Sequence, residues 1–166
     1  MSGSDLDFET LYRRYAPDVY RFALYLTGRP EQAEDIAAET FVRAWMSPEP
    51  VRVGTVKAYL FTIARNLHRM DLRRSRKHEP IDRQIRDDAP GPEASAAARL
   101  RVKRLFAHLQ QLPEIDRAVL IMRAEDGLSY EEIAAAVGIS VAAARVKVHR
   151  ARARLAELQS KEEPCK

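Results

Sequence analysis

The stretch SYEEIAAAVGISVAAARVKVHRARAR, Ser129 to Arg154, decides the fold. It holds two helix starts and one sharp crossing. Ser129 stands three residues before Glu132, the spacing of a capping box in which each side chain can satisfy the other's orphan amide. Ile133, Ala134 and Val137 then form the buried stripe of a short helix that ends at Gly138. Ser140 caps a second helix, whose apolar face is Val141, Ala144, Val148, Ala151, Leu155 and Leu158. Two capped helices joined through Val137-Gly138-Ile139-Ser140 describe a helix-turn-helix. The small Ala134 lets the helices approach, and Gly138 supplies the left-handed backbone that so short a crossing needs. Ile133, Val137 and Ile139 fill the angle between them.

The outer face of the second helix carries Arg145, Lys147, His149, Arg150, Arg152 and Arg154, with no acid among them. Such a helix can enter a DNA major groove, its first residues at base edges and its basic remainder along phosphates. The candidate DNA-contacting set is Ser140, Ala142, Ala143, Arg145, Val146, Lys147, His149 and Arg150. Ala142 and Ala143 offer no hydrogen bond where base edges would lie, whereas Val146 can meet a thymine methyl. The plainer alternative is a solvated face of an ordinary helical hairpin.

Working outward, the C-terminal lobe begins with an Ala-rich helix from about Glu93 to Leu112. Pro113 opens the next, with Ile115, Ala118, Val119 and Met122 inward and Gly127 after its end. Upstream, from Glu79 to Glu93, apolar periodicity stops and Pro80, Asp82, Asp87, Asp88, Pro90, Gly91 and Pro92 crowd together. Prolines remove backbone donors and the acids repel one another, so residues 79–95 read as a flexible linker. The division is therefore 1–78, linker 79–95, and 96–166. The N-terminal lobe has three or four helices. A first ends before Pro17, and Pro17 opens a second carrying Val19, Tyr20, Phe22, Ala23 and Leu26, capped by Gly28. Pro30 starts another with Ala33, Ile36, Ala37, Thr40, Phe41 and Trp45. After Pro48, Pro50 and Gly54 comes a long helix with Val56, Leu60, Ile63, Leu67 and Met70 at alternating spacings of three and four.

That long helix bears Arg65, Asn66, His68, Arg69, Arg73 and Arg74, continuing to Arg76 and Lys77, against one acid, Asp71; Tyr59 and Phe61 precede them. Arginines hold phosphates, an asparagine reads a base edge and aromatics stack on unpaired bases, a set suited to DNA whose strands are separating. Alternatively, Tyr59 and Phe61 are core and the arginines a solvated helix end favoured by the macrodipole. On the helix before it, Glu31 and Glu34 are explained by the positive helix start. Asp35 and Glu39, a turn apart, can form a protein-docking edge.

The composition fits an all-α chain of two small helical domains. It is 46% hydrophobic and 31% charged with only 6 Gly, and Ala, Leu, Arg and Glu outweigh β-branched runs. The 28 bases against 24 acids permit nucleic-acid binding without demonstrating it. One cysteine, Cys165, excludes a disulfide framework and fits a reducing cytoplasm. The acidic start of the chain lacks the layout of a signal peptide. No Gly-rich phosphate loop appears, and no histidine has a nucleophile or ligand partner at a useful spacing, so neither an enzyme, a cofactor nor a metal is expected.

The residues resemble the extracytoplasmic-function (ECF) group of the sigma-70 family. Ala33-Glu34-Asp35-Ile36 through Glu39-Thr40-Phe41-Val42-Arg43-Ala44-Trp45 is similar to the polymerase-binding part of region 2. Ala58-Tyr59-Leu60 through Ile63-Ala64-Arg65-Asn66-Leu67, then Leu72-Arg73-Arg74, is similar to the part that melts and reads the −10 element. Leu112-Pro113 through Gly127-Leu128-Ser129-Tyr130-Glu131-Glu132-Ile133-Ala134, with His149-Arg150-Ala151-Arg152, resembles region 4, which reads the −35 element. The resemblance implies that Asp35, Glu39 and Arg43 dock on core RNA polymerase, through the β′ clamp with the β flap as a further contact. It implies that Tyr59, Arg65, Asn66, Arg69, Arg73 and Arg74 meet promoter DNA at the −10 element, and that an anti-sigma factor holds the protein inactive. The sequence departs from the family pattern at Ala38, Met70, Ala143 and Ala144. A stand-alone helix-turn-helix regulator is the alternative, but the first lobe resembles neither a receiver nor a ligand-binding domain.

Overall fold

The computed structural model describes residues 7–47, 55–75 and 95–162, and among these the only regular elements are seven helices. They are α1 (Phe8–Thr27), α2 (Pro30–Met46), α3 (Val56–Ser75), α4 (Ala96–Gln110), α5 (Glu114–Ala124), α6 (Tyr130–Val137) and α7 (Val141–Glu162). The expected linker except Ser95, together with Arg76, Lys77, His78 and Cys165, lies outside the described residues.

One expected break is absent. Pro17 does not divide two helices; it sits exposed inside α1. A proline there removes one hydrogen bond and crowds the preceding turn, costing about 3 kcal/mol. Burial of Val19, Phe22, Ala23 and Leu26 on one continuous face, with Leu11 and Tyr15 packed beside them, offsets that cost. Among its described residues the N-terminal half accordingly has three helices. Gly28 ends α1 at φ 67°, its N–H bonded to the Leu24 carbonyl at 2.8 Å. A Cβ there would crowd the Gln110 side chain, whose Nε2 lies 3.0 Å from its position. Phe22 of α1 stacks on Phe61 of α3 at 4.3 Å, the centre of this half. Phe61 is thus core, as one reading of the sequence had it, and Tyr59 is half-buried.

The helix-turn-helix forms as its sequence requires. Ser129 Oγ accepts from the Glu132 amide at 3.1 Å, and Ser140 Oγ from the Ala143 amide at 3.0 Å. Gly138 takes φ 74°, its N–H on the Ala134 carbonyl. The capping box differs in one respect: the Glu132 carboxylate accepts from the Ser129 hydroxyl at 3.1 Å and the Thr55 hydroxyl at 2.8 Å. Thr55 belongs to the other half of the chain.

That bond is one of several across a closed seam. One buried apolar cluster runs from Val19 and Phe61 through Ala118, Met122 and Ile133 to Val148. Arg117 of α5, nearly buried, donates to the carbonyls of Leu109 at 2.8 Å, Leu112 at 3.0 Å and Leu26. Leu109 and Leu26 lie in the last turns of α4 and α1, where unpaired carbonyls concentrate negative charge, which accounts for a buried cation at this place. Arg21 reaches Asp126 and Asp18, each at 3.0 Å, and Gln110 donates to the Tyr25 carbonyl at 3.2 Å.

Candidate nucleic-acid interface

On α3 successive residues turn by about 100°, so positions three and four apart share a face. Tyr59, Asn66, Arg69 and Arg73 fall on one stripe. Asn66, Arg69 and Arg73 are exposed, and so is Arg74 at its edge. Arg65 does not join them. It lies at the flank of that stripe, one turn before Arg69, and its side chain turns into the seam, 4% exposed, where its Nε and Nη2 donate to the two Glu114 oxygens at 2.8 and 3.0 Å. His68, one turn on, is buried beside it. Burial, then the positive charges of Arg117 and Arg65, depress its pKa to about 4 despite Glu114, so the ring is neutral at neutral pH. The basic run thus divides into a solvent face and a seam face.

On α7 the structure brings Ala142, Arg145, Val146, His149 and Arg150 to the exposed surface, with Ser140 at its start; Val146 is 44% exposed. Ala143 is half-buried. Lys147 turns aside, its Nζ 3.4 Å from Asp116 of α5. Arg145 lies with its guanidinium carbon 5.3 Å from the centre of the Tyr130 ring, over which Arg123 also sits, at 4.5 Å. Neither Arg123 nor Tyr130 was singled out as functional in the sequence; their meeting depends on the helix crossing.

On α2 Asp35, Glu39 and Arg43 are all exposed, with Arg43 Nε 3.0 Å from Glu39. The same helix adds what its acids did not signal: Val42 is 45%, Trp45 56% and Met46 75% exposed. Val42 and Met46 follow Asp35 by seven and eleven residues, continuing its stripe. Phe8 and Tyr12 of α1 flank Trp45 and Phe41, with Phe8 edge-on to Trp45 at 5.6 Å. An exposed apolar ridge of this kind marks a partner surface more often than a random surface does. Among the described residues no group of His, Cys, Asp and Glu is placed to hold a metal, and no helix is long and apolar enough to cross a membrane.

Two family models match, Sigma-70 region 2 over residues 11–78 and Sigma-70 region 4 over residues 103–155. The ECF RNA polymerase sigma factor EcfG of Rhodopseudomonas palustris is 34% identical over 150 residues, 86% of this chain and 79% of its own length. This chain belongs to the ECF group of sigma factors. The ECF sigma factor SigE of Mycolicibacterium smegmatis is also 34% identical, over 161 residues, and there the match covers 93% of this chain but 62% of the relative. In three dimensions the sigma factor is similar to RpoE of Bartonella quintana, solved in complex with the anti-sigma factor NepR. The TM-score is 0.75 at 28% identity, with 95% of this chain and 99% of that one covered. The covered span takes in both halves.

Proposed function

We propose that this sigma factor is the promoter-recognition subunit of an RNA polymerase holoenzyme, with no catalysis of its own. The observation that carries the reading is the pair of exposed basic faces, one on α3 and one on α7, each inside a segment matched to a sigma region. In this reading the Ala142–Arg150 face of α7 reads the −35 element in the major groove. The Tyr59–Asn66–Arg69–Arg73 stripe of α3 takes the −10 element as its strands separate. Asp35, Glu39 and Arg43, with the apolar ridge of Val42 and Met46, dock on the polymerase clamp.

Arg65 and Lys147 need a further condition. Lys147 is held by Asp116 of its own half in a part-exposed ion pair, while Arg65 is buried between the halves and reaches DNA only when the second half moves off the first. The similarity to a sigma factor held by an anti-sigma factor supports a partner of that class here, acting on the closed arrangement. Reconstitution tests the reading. With core polymerase, the protein is expected to protect and open promoters selected from genomic fragments; alone, it is expected to bind them weakly. Equally tight specific binding by the isolated protein would favour a stand-alone regulator.

A further inference from the structure

We propose that Tyr130 is a positioning residue for promoter reading, whose ring sets the Arg145 guanidinium in place before DNA arrives. The proposal rests on the reading of α7 as a base-contacting helix. Tyr130 is the first residue of α6, half-buried, and packs against the core, so its ring has little freedom. Arg123 adds a second restraint: its Nη1 donates to the Leu128 carbonyl at 2.9 Å while its guanidinium carbon lies 4.5 Å from the ring centre. Leu128, itself buried, thereby fixes Arg123 and Arg123 covers the ring.

Arg145 is the exposed member of this group. It stands on the exposed face of α7 with no carboxylate partner among the described residues, and its guanidinium carbon is 5.3 Å from the same ring. A cation is drawn to the electron-rich face of an aromatic ring. A long arginine on a bare helix face otherwise samples many rotamers, all but one of which are lost when it grips a base edge. Stacking restricts it beforehand, which lowers the ordering cost of binding and fixes the direction in which its planar fork points. Affinity and base preference at one position of the −35 element both depend on that direction. The interaction uses the ring face and not the hydroxyl, which distinguishes it from a phosphate contact through the Tyr130 oxygen.

The test measures holoenzyme binding to a selected promoter and to its single-base-pair variants across the upstream element. Tyr130→Phe keeps the ring, and its affinity and preference are expected within about twofold of the parent. Tyr130→Leu is expected to lose roughly five- to tenfold, concentrated at the base pair where Arg145→Ala also flattens preference. In the double variant the losses should overlap rather than multiply. Thermal melting by circular dichroism identifies a folding defect, and Tyr130→Trp, which keeps an aromatic face, should then restore preference where Leu does not. Multiplying losses, a loss by Phe equal to that by Leu, or a uniform loss over all base pairs would overturn the role of the ring. An Arg145→Ala variant indistinguishable from the parent would overturn the α7 reading itself, and the positioning role with it.

Discussion

Arg65 and Glu114 meet in two parallel hydrogen bonds across the seam between α3 and α5, their side chains 5% and 18% exposed. Bidentate geometry makes this a strong, directional contact. It is also a demanding one, because either charge left alone would be buried without its counterion. Register between the halves follows: with α6 packed on α3 and α5 on α1, the start of α5 must come to Arg65 for both groups to be satisfied.

Glu114→Ala should therefore destabilise the closed protein by about 3–5 kcal/mol. Arg65→Met combined with Glu114→Leu, which removes both charges, should recover most of that loss. Urea denaturation followed by circular dichroism measures both. A double variant as unstable as Glu114→Ala would show that the pair itself, and not the stranded arginine, sets the stability.

His68 gives the seam a pH dependence of defined sign. Its closed-state pKa, about 4, lies below the unfolded value of 6.5, so between those values the unfolded chain binds the extra proton. The contribution is complete above about pH 6.5 and declines as pH falls towards 4, amounting to about 3 kcal/mol over the full range. Asp126, raised by its burial against the opposing effect of Arg21, shifts in the other direction. The difference in stability between the parent and His68→Phe, measured from pH 7.5 to 4, isolates the histidine. A constant difference across that range would exclude it as the source.

The two DNA faces should separate by step. Arg145→Ala is expected to weaken upstream recognition by about 1–3 kcal/mol, the value of a bidentate base contact, seen in footprints of the closed complex. Asn66→Ala with Arg69→Ala should spare that footprint and reduce permanganate reactivity of unpaired thymines. Unimpaired opening on linear promoter DNA would make that stripe of α3 a solvated helix face.

The α2 surface has its own readout. Asp35→Arg with Glu39→Arg should reduce holoenzyme assembly at least tenfold while leaving the helical signal intact, since both side chains are exposed and surface substitutions cost little stability. Met46→Asp should add to the effect if the apolar ridge shares the interface. Assembly at parental affinity would remove α2 from the docking surface.

Local signals were legible where one short segment fixes the outcome. The caps at Ser129 and Ser140 and the turn at Gly138 lie where their spacing put them, because a helix end is decided within a few residues. Pro17 misled because its local preference was outweighed by a buried face extending two turns to either side. Arg65 and Lys147 stand among basic neighbours in the sequence, yet Lys147 lies on another side of α7, and Arg65, at the flank of the exposed stripe of α3, turns its side chain into the seam. Arg65 sits one position before Asn66, which places it a quarter-turn or more away. Its partner, Glu114, is 49 residues distant, and no local pattern in the chain announces such a pairing. The Arg123–Tyr130–Arg145 group was hidden for the same reason.

The apolar cluster that joins Phe61 to Met122 and Ile133 has a thermodynamic corollary. The two halves share one interior, so they should melt in a single calorimetric transition, with the enthalpy from peak area equal to that from peak shape. Fragments covering residues 7–75 and 95–162, mixed after separate expression, should recombine. A polymerase or any other ligand that draws the halves apart exposes this shared interior to water. It must therefore present greasy surface of its own in exchange, or the opened form will not persist.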